Sequence, residues 1–499
     1  MYLRRVLVAN RGEIALRIIR ACHEEGLEAV AVYSEADRSS PHVRAADLAV
    51  PIGPAPPAES YLRIDALLAA ARATVAQAVH PGYGFLAERA AFAEAVEQAG
   101  LIFIGPPSQA IRAMGDKTEA RRRMRAAGVP VVPGGTAAVT GHREAFALAR
   151  ELGYPVLVKA AAGGGGRGMR LVKDPAGLRP ALVAAASEAL KAFGDAAVYL
   201  EKLIERPRHV EIQVLADFAK TVHLGERECS IQRRHQKLLE EAPSVAVSPH
   251  LRRAMGEAAV AAAVAVRYRG VGTCEFLLAP DGSYYFLEMN TRIQVEHPVT
   301  EMVYGVDLVR EQLRIARGMP MAVGEWPLAP RGHAIECRIT SEDPGNGFLP
   351  STGRIGYLRV PSGPGVRWDA GVETGDEVTL HYDSLLGKLI VRDENRTLAL
   401  ARLTRALDEL VISGVTTNQG FHRRLLGDPA FRRGEVDIQF LERRGDLLGT
   451  AEDAVRDRRV AIAAALAEDA ARREGKPALA RDGDGDSAWA RAGRRDALR

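Results

Sequence analysis

At 499 residues the chain is too long for one ordinary hydrophobic core, so about two to four domains are expected. Hydrophobic residues make up 47% and charged residues 26% of the chain, which is typical of a soluble globular protein, and no apolar run approaches a membrane span. A net charge of +4 is too small for a dedicated nucleic-acid binder of this length. Because MYLRRVLVAN is typical of a strand rather than a signal peptide, we expect a cytoplasmic protein without membrane or nucleic-acid partners.

Strand and helix signals alternate over residues 1–114. LRRVLVAN is followed by the apolar-periodic EIALRIIRACHEEG and by LEAVAVYS, and the pattern repeats as far as LIFIGP. The alternation predicts a parallel α/β domain with ligands at the carboxyl ends of its strands. NRGEIA, in the first strand-to-helix turn, lacks G-x-G-x-x-G, which argues against a dinucleotide site. In the later turn HPGYGFLAE, either tight turn geometry or a ligand contact through Tyr83 explains the glycines.

A strand, a glycine-rich segment and a second strand are predicted in YPVLVKAAAGGGGRGMRLV. Lys159 ends the first strand, and Gly163 to Gly168 precede the second. No Lys-Ser/Thr pair and no helix follows the glycines, so the segment is not a P-loop. The pattern favours a mobile lid whose backbone amides approach phosphates, although a flexible hairpin without a ligand has the same pattern. Upstream, Lys117 lies near the start of a basic helix that is predicted to end at Gly128.

Two acidic side chains are brought together by a hairpin predicted in CEFLLAPDGSYYFLEMN. Asp281-Gly282 is a two-residue turn signal, and the resulting pairing places Glu275 opposite Glu288. Because directly opposite carboxylates repel each other, a cation is expected between them. With the amide oxygen of Asn290 they form an all-oxygen set suited to Mg²⁺ or Mn²⁺. The alternative is a solvated edge strand that carries charges.

The same strand is predicted to continue through EMNTRIQVEH, residues 288–297. Extended backbone places alternate side chains on one face, here Glu288, Asn290, Arg292, Gln294 and Glu296. Upstream, a basic run is separated from the hairpin by only one helix, so we expect an anion site beside the metal rather than a solvated face. The run contains Arg233, Arg234, His235 and Lys237.

Strand signals dominate from HAIECRITSED onward, where Glu336 and Arg338 are predicted on one strand face. GRIGYLRV, VRWDAG, DEVTLHYDS and GKLIV predict a β-rich layer, and TLALARLTRALDELVISG predicts an amphipathic helix. The folded body is expected to end near Arg444. The Ala-rich and Gly/Asp-rich remainder, 445–499, predicts a tail that is partly helical or disordered.

Taken together, several ordered motifs resemble the biotin carboxylases of the ATP-grasp superfamily over about residues 1–444. The motifs are NRGEIALRI, HPGYGFL, MGDK, KAAAGGGGRGMR, RHVEIQVLAD, QRRHQK, EMNTRIQVEHPVTE and HAIECRI. The resemblance implies a multidomain α/β and α+β fold. Its parts are an N-terminal parallel α/β (pre-ATP-grasp) domain over 1–114, an ATP-grasp domain over 115–320 with a lid at about 131–203, and a β-rich C-terminal biotin carboxylase domain over 331–444.

The resemblance also implies an activity. Similar proteins are the biotin carboxylase subunits of acetyl-CoA or other acyl-CoA carboxylases, which act in fatty acid biosynthesis. Their reaction is the MgATP-dependent carboxylation of carrier-bound biotin by bicarbonate through carboxyphosphate, with release of ADP and phosphate. The final acceptor of the carboxyl group, whether an acyl-CoA or a keto acid, is left open by the sequence.

Roles for individual residues are implied in the same way. Lys117 and Lys159 would contact the ATP phosphates, with Gly165 and Gly166 in the lid above them. The residues implied to line the adenosine pocket are Glu201, Lys202, Ile204, His209, Gln232 and His235. Metal ions would be held by Glu275, Glu288 and Asn290. Bicarbonate would be held by Lys237, Arg292, Gln294 and the Val295 backbone, with Glu296 as base, and Tyr83 and Arg338 would face biotin.

The partners implied are a separate biotin carboxyl carrier protein and carboxyltransferase subunits, because no Met-Lys-Met biotin acceptor occurs in the sequence. A homodimer is expected, although Pro364 stands where some relatives have an aromatic residue at the subunit contact. In the tail, Trp489 and the helical segment from Val460 to Leu466 could dock a partner.

Two other functions share part of this pattern. Another ATP-grasp ligase, such as a carbamoyl-phosphate or carboxylate-amine ligase, would share the lid and the metal carboxylates but has no reason to keep HAIECRI or RIQVEH. A catalytically silent regulatory or scaffold protein could bind ATP, but the presence of Glu296, Lys237 and Arg338 argues against it.

Overall fold

The computed structural model describes residues 3–135, 138–139, 141–160, 169–193, 196–324, 328–449, 462–463 and 465–466. The chain divides into two compact units, Met1–Gly449 and Thr450–Arg499. In the second unit the four described residues are helical. The predicted lid residues Gly165 and Gly166, and most of the predicted tail, lie outside the described residues.

The first unit extends a few residues beyond the predicted end at Arg444. Arg444 forms ion pairs with Asp428 and Asp446, and a 3₁₀ turn over Gly445–Leu448 follows it. Leu447 of this turn is buried in the C-terminal core. These contacts explain why the ordered body continues to Gly449.

A parallel sheet with helices on both faces forms the N-terminal part, and the alternating pattern is confirmed. Its elements are β1 (Arg5–Val8), α1 (Gly12–Glu24), β2 (Glu28–Ser34), α2 (Pro41–Ala45), β3 (Leu48–Gly53), α3 (Ile64–Ala73), β4 (Ala78–His80), α4 (Ala90–Gln98), β5 (Ile102–Phe103) and α5 (Ser108–Gly115). The strand order is β3-β2-β1-β4-β5. Val6 and Val8 pack with Ile18 of α1 on one face, and Leu7 packs with Val96 of α4 on the other, so β1 is apolar throughout.

A small antiparallel sheet follows, with the strand order β7-β6-β8. Its region contains α6 (Lys117–Ala126), α7 (His142–Leu152), β6 (Val156–Ala160), β7 (Arg170–Val172), α8 (Pro175–Phe193) and β8 (Val198–Lys202). The side chain of Asp116 accepts a hydrogen bond from Glu119 N and caps α6. Gly128, at φ +74°, lies just beyond the end of this helix, as predicted.

The central region supplies most of a large antiparallel sheet. Its elements are β9 (Arg208–Ala216), β10 (Thr221–Arg233), β11 (Gln236–Ala242), α9 (Pro249–Ala265), β12 (Gly270–Leu278), β13 (Tyr284–Asn290), α10 (His297–Tyr304) and α11 (Leu308–Ala316). One side of this sheet is covered by α9, whose Met255, Ala259 and Ala262 pack against Ile212 and Phe276.

The C-terminal region continues the same sheet. Its elements are β14 (His333–Thr340), β15 (Glu342–Asp343), β16 (Leu349–Pro350), β17 (Gly353–Arg354), β18 (Tyr357–Arg359), β19 (Val366–Ala370), β20 (Glu377–Val378), β21 (Leu385–Asp393), α12 (Arg396–Glu409), β22 (Val411–Ser413), α13 (Gln419–Gly427), α14 (Pro429–Arg432) and α15 (Phe440–Arg443). The large sheet has the order β13-β12-β9-β10-β11-β14-β21-β19. It therefore crosses the predicted boundary between 115–320 and 331–444, and these boundaries stay predictions. None of the helices in the described part of the chain combines the length and apolar character that crossing a membrane requires.

A buried ion-pair cluster joins the central and C-terminal regions. Glu241 of β11 accepts hydrogen bonds from His333 of β14, at 2.7 Å, and from Nε of Arg396 of α12, at 2.6 Å. Burial alone would raise the pKa of Glu241, but His333 and Arg396 hold it at about 2. Because this value lies below the ordinary pKa of glutamate, the cluster stabilises the fold above about pH 4 and loses this contribution as the pH falls toward 2.

Glu241→Gln is therefore expected to lower the free energy of unfolding by about 3 kcal/mol at pH 7, since it leaves two buried cations without their carboxylate. Differential scanning calorimetry from pH 7 to pH 3 measures the effect as a lower melting temperature whose difference from the unmodified chain shrinks with acidity. Glu119→Gln, at an exposed ion pair, is the matched control, with a change of less than about 1 kcal/mol. Equal melting temperatures for Glu241→Gln and the unmodified chain at pH 7 would contradict this assignment.

Candidate active site

The hairpin of β12 and β13 places Glu275 opposite Glu288, as predicted. The predicted two-residue turn was wrong, because backbone hydrogen bonds close a loop over 280–282. Its last residue, Gly282, has φ +87°, the left-handed conformation that ends a three-residue hairpin loop. This loop shifts the register by one residue, and a bulge at Leu287 shifts it back before Glu288.

The predicted extended run through EMNTRIQVEH is wrong beyond Asn290. The strand β13 ends there, and residues 291–296 form turns before α10 begins. Contacts from other parts of the chain hold this segment: Glu88 accepts from one of its backbone amides at 3.2 Å, and Lys388 Nζ donates to the Val295 carbonyl at 2.8 Å. The polar side chains still converge, because the turns wind around one cavity.

A cavity of about 910 Å³ is lined by every predicted site residue that the structure describes. Residues that follow β1 and β4 also line it, as expected for the carboxyl ends of parallel strands. The predicted residues at its wall are Tyr83, Lys117, Lys159, Glu201, Lys202, Ile204, His209, Gln232, His235, Lys237, Glu275, Glu288, Asn290, Arg292, Gln294, Val295, Glu296 and Arg338. The structure brings these residues together, while their individual roles stay predictions.

Lys237 is the cation around which the carboxylates of the cavity gather. Its Nζ donates to Glu211 at 2.6 Å, to Glu275 at 2.9 Å and to Glu296 at 2.7 Å. Burial alone would lower the pKa of Lys237, but the three carboxylates raise it well above its usual range. Lys237 is therefore a fixed positive charge at neutral pH.

The other basic residues of the predicted cluster do not crowd around Lys237, so that expectation was wrong. Arg234 and His235, both at positive φ, form the turn between β10 and β11. Arg233 points to the carbonyl of Gly347, at 2.7 Å. The tight turn separates these side chains because alternate residues of the hairpin face opposite sides of the sheet.

Arg227 organises the wall behind Lys237. It is fully buried, and its guanidinium donates to acceptors on three strands and two further segments, namely Glu211, Gln213, Thr273, Gln294 and Thr300. Gln294 in turn donates from Nε2 to Glu275 at 2.9 Å. The amide of Gln294 therefore has one fixed orientation, with its oxygen toward Arg227 and its nitrogen toward the carboxylates.

Glu296 lies between two cations at the start of α10. Its Oε1 accepts from Lys237, and its Oε2 accepts from Arg338 Nη2 at 2.9 Å. Burial alone would raise the pKa of Glu296, but Lys237, Arg338 and the nearby Arg227 hold it below its usual range. Glu296 is thus ionised at neutral pH and has a free capacity to accept a proton. Arg338 is held on its other side by Glu240, at 2.6 Å.

Tyr83 is tied to the same wall through buried groups of α1 and β21. Its hydroxyl donates to the Glu13 carboxylate, which also lies 3.1 Å from Lys388 Nζ. Lys388 is fully buried and reaches the Val295 carbonyl. This chain of contacts fixes Tyr83 relative to the segment that carries Gln294 and Glu296.

Three family models match consecutive parts of the chain. "Biotin carboxylase, N-terminal domain" matches residues 2–111, "Carbamoyl-phosphate synthase L chain, ATP binding domain" matches 116–323, and "Biotin carboxylase C-terminal domain" matches 336–443. A biotin carboxylase of Nostoc sp. is 54% identical over 439 residues, which cover 88% of this chain and 98% of the relative. The chain belongs to the biotin carboxylase family.

Solved structures agree with this membership. The biotin carboxylase domain dimer of Hydrogenobacter thermophilus 2-oxoglutarate carboxylase, in complex with MgADP, ADP and bicarbonate, has a TM-score of 0.85 and 45% identity, covering 91% of this chain and all of that one. A biotin carboxylase from Campylobacter jejuni in a β-γ-ATP complex has a TM-score of 0.85 and 46% identity, covering 89% and 99%. As a biotin carboxylase, this chain is an ATP-dependent ligase that carboxylates biotin with bicarbonate and a divalent cation.

The carboxylates of the biotin carboxylase cavity fit a hard divalent cation. Burial raises the pKa of Glu288, and the charge of Glu275 opposite raises it further, a repulsion that a cation between them would relieve. The Glu275 carboxylate now accepts from Asn290 Nδ2 at 2.9 Å and lies 3.1 Å from His209 Nε2. Oxygen donors of this kind suit Mg²⁺, which takes its remaining ligands from phosphates and water.

At the nucleotide end of the cavity, Glu201 is buried between two cations, Arg121 and Lys159. A phosphate group offers Lys159 the same charge that Glu201 now offers it. Lys202 points the other way, because its Nζ donates to the Gly153 carbonyl at 2.8 Å. Its contribution to an adenosine pocket would therefore come from its backbone.

Sequence reasoning missed several functional neighbours of this site. Glu211 follows His209 by two residues on β9, so period-two alternation would have placed both on one face. Lys388 stands inside the apolar strand GKLIV, and a lone lysine at such a position is itself a signal, since lysine is rarely buried without partners. Arg227 gave no comparable signal, because its partners come from distant parts of the sequence.

Arg227→Lys is expected to raise the KM for bicarbonate by about 10-fold or more, because an ammonium group cannot hold five acceptors and Gln294 loses its fixed orientation. The KM for ATP should change by less than about 2-fold, since the ATP-facing lysines make no contact with Arg227. Steady-state ADP release at varied bicarbonate measures the effect, with Arg208→Lys, at an ion pair with Glu228, as the matched control. An unchanged KM for bicarbonate would show that Arg227 does not organise the site.

Proposed function

We propose that the cavity activates bicarbonate and carboxylates biotin at two adjacent positions that share Glu296. The observation that carries this proposal is the placement of Glu296 between Lys237 and Arg338, with one carboxylate oxygen on each cation. Bicarbonate would bind on the Lys237 side, and biotin would bind on the Arg338 side. The product of the first position thus forms within reach of the second.

The nucleotide would occupy the part of the cavity lined by Lys117 and Lys159. The lysines supply positive charge for the phosphates, and phosphoryl transfer depends mainly on such neutralisation and alignment. Mg²⁺ held by Glu275, Glu288 and Asn290 would neutralise the β- and γ-phosphate oxygens. The adenosine pocket is proposed to be formed by Glu201, Lys202, Ile204, His209, Gln232 and His235, beneath a lid that contains Gly165 and Gly166.

Bicarbonate would lie against Lys237, Arg292, Gln294 and the backbone of Val295. Arg292 is buried near this position, where its Nη2 donates to Asn290 Oδ1 at 2.9 Å, so it lies between the metal ligands and the bicarbonate site. Glu296 is ionised and can take the bicarbonate proton as an oxygen of bicarbonate attacks the γ-phosphate. The resulting carboxyphosphate would decompose to CO₂ and phosphate in a cavity closed to water.

Arg338 would stabilise the biotin ureido oxygen as that oxygen gains negative charge, in the way that an oxyanion hole does. Phosphate released beside it would remove the proton from the ureido nitrogen, which then attacks CO₂. Tyr83, held by Glu13, would contact biotin at the carboxyl end of β4. Two buried side chains also fix the backbone of Arg338, because Asn418 and His422 bind its carbonyl at 2.8 and 2.9 Å.

We further propose that this chain works as a homodimer on biotin presented by a separate carrier protein in the cytoplasm. In support, the chain covers 98% of the Nostoc biotin carboxylase but only 41% of the Rhizobium etli pyruvate carboxylase chain. The related 2-oxoglutarate carboxylase domain is described as a dimer. A relative from Methanothermobacter thermautotrophicus, which is a subunit of pyruvate carboxylase, is 51% identical over 88% of this chain and 90% of its own length, so identity does not separate acyl-CoA from keto acid as final acceptor.

Glu296→Gln and Arg338→Gln are expected to separate the two positions. Glu296→Gln should lower bicarbonate-dependent ADP release by about 100-fold or more, because the proton acceptor is lost. Arg338→Gln should lower the carboxylation of free biotin by at least about 100-fold through loss of charge stabilisation. Both variants should bind ATP with nearly unmodified affinity, which calorimetric titration measures. Free biotin carboxylation at the unmodified rate by either variant would remove the role assigned to that residue.

A further inference from the structure

Two buried carboxyl groups lie directly behind Arg338, outside the cavity wall. Glu240 of β11 and Glu336 of β14 are register partners on neighbouring antiparallel strands, and both side chains are 0% exposed. Residues in this register share one face of the sheet, at about 5 Å between Cβ atoms. That face is the one covered by α10, since Ile390, the partner of Glu336 on β21, packs with Val299 of α10.

Glu336 has no hydrogen-bond donor within the described residues. Both of its carboxyl oxygens and Oε2 of Glu240 are buried without a hydrogen-bond partner there. The two neighbouring cations are already committed: Arg338 donates to Glu240 Oε1 and to Glu296, and Lys388 donates to the Val295 carbonyl and contacts Glu13.

The other charged and titratable groups on the elements packed around Glu336 also bind elsewhere. From α10, His297 contacts the Gln294 carbonyl, and Glu301 accepts from Arg17 and Arg367. From β19, Asp369 accepts from Arg367. From β10, Arg227 is held by its five acceptors. On the opposite face of the sheet, α12 packs on Ile335 and Cys337 with apolar side chains.

A carboxylate without a donor costs several kcal/mol in such an interior. Two opposed carboxylates relieve the cost by sharing one proton. Burial raises the pKa of Glu336 well above its usual range; Lys388 opposes this shift, and the charge of Glu240 reinforces it. Burial likewise raises the pKa of Glu240, to about 7, against the effect of Arg338.

We propose that Glu336 is a positioning residue for carboxylation, which holds a proton, donates it as a hydrogen bond to Glu240, and so keeps the other oxygen of Glu240 aimed at Arg338. The inference rests on the biotin-facing role proposed for Arg338. Ionised Glu336 places a second negative charge behind the guanidinium and draws Arg338 away from Glu296 and from biotin. Glu336 itself does not line the cavity, so it acts only through Glu240 and Arg338.

Difference infrared spectroscopy tests the protonation without any turnover. The full chain at neutral pH should show the carbonyl stretch of a buried protonated carboxyl group, and Glu336→Gln should lose that band. Loss of the same band in Glu228→Gln but not in Glu336→Gln would overturn the proposal, as would the absence of any difference band for Glu336→Gln. Glu228 is a fitting control because it is also buried, with Arg208, Ser230 and Ser244 as partners.

The pH profile of kcat for free biotin tests the positioning. Glu336→Leu should lower kcat by about 10-fold or more, since Glu240 loses its donor and Arg338 its fixed place. The neutral donor in Glu336→Gln should restore most of this loss, and this variant should keep more of its neutral-pH kcat at alkaline pH than the unmodified chain does. Equal kcat for the Leu variant, or identical pH profiles for the Gln variant and the unmodified chain, would refute the positioning role.

Two readouts keep this test separate from the proposed function. The KM for ATP and the melting temperature of each variant show whether it is folded and binds nucleotide, and Glu228→Gln should keep the unmodified pH profile. If the unmodified chain fails to carboxylate free biotin, the roles proposed for Arg338 and Glu296 fail, while the infrared result on Glu336 stands on its own. If the unmodified chain is active and the Leu variant is equally active, only the positioning inference fails.

Discussion

The placement of one buried ammonium group among three carboxylates is the interaction on which the rest of this site depends. Lys237 comes from β11, and its partners Glu211, Glu275 and Glu296 come from β9, from β12 and from the start of α10. Each carboxylate taken alone into this interior would be strongly destabilised, and so would the lysine. The mutual contacts offset that cost only while all four groups keep their places. Substrates that exchange these contacts therefore enter a site whose charges are already oriented.

The continuous sheet explains how this arrangement is held. Strands β9 to β12 carry the Lys237 cluster, and β14, which pairs with β11, brings Arg338 beside Glu296. Because one sheet carries both positions, the distance between bicarbonate activation and the biotin-facing arginine is set by strand pairing rather than by a loop. The Glu241 cluster and the buried Lys388 fasten the same strands to α12 and α1. The sheet thus gives a rigid frame to the two steps, which matters because carboxyphosphate and CO₂ must not escape before they react.

Much of the fold and of the site followed from local patterns. Alternating strand and helix signals gave the parallel N-terminal sheet, and period-two alternation gave the opposition of Glu275 and Glu288. The errors came where local rules compete with long-range contacts. EMNTRIQVEH alternates like a strand, but Glu88 and Lys388 bind its backbone and bend it after Asn290. Arg227 and Glu336 were missed as functional neighbours because only the tertiary structure shows which strands surround them.

The family comparison also narrows the competing functions. The ATP-binding region matches a carbamoyl-phosphate synthase domain, as other ATP-grasp ligases would, but the flanking regions match biotin carboxylase domains. The central claim is that Lys237 and Glu296 make bicarbonate the group that attacks ATP. Mass spectrometry of the phosphate formed from ¹⁸O-labelled bicarbonate and unlabelled ATP tests this claim most directly. The account predicts one labelled oxygen in each phosphate released during biotin carboxylation. Unlabelled phosphate would mean that water attacks ATP, and it would contradict the account.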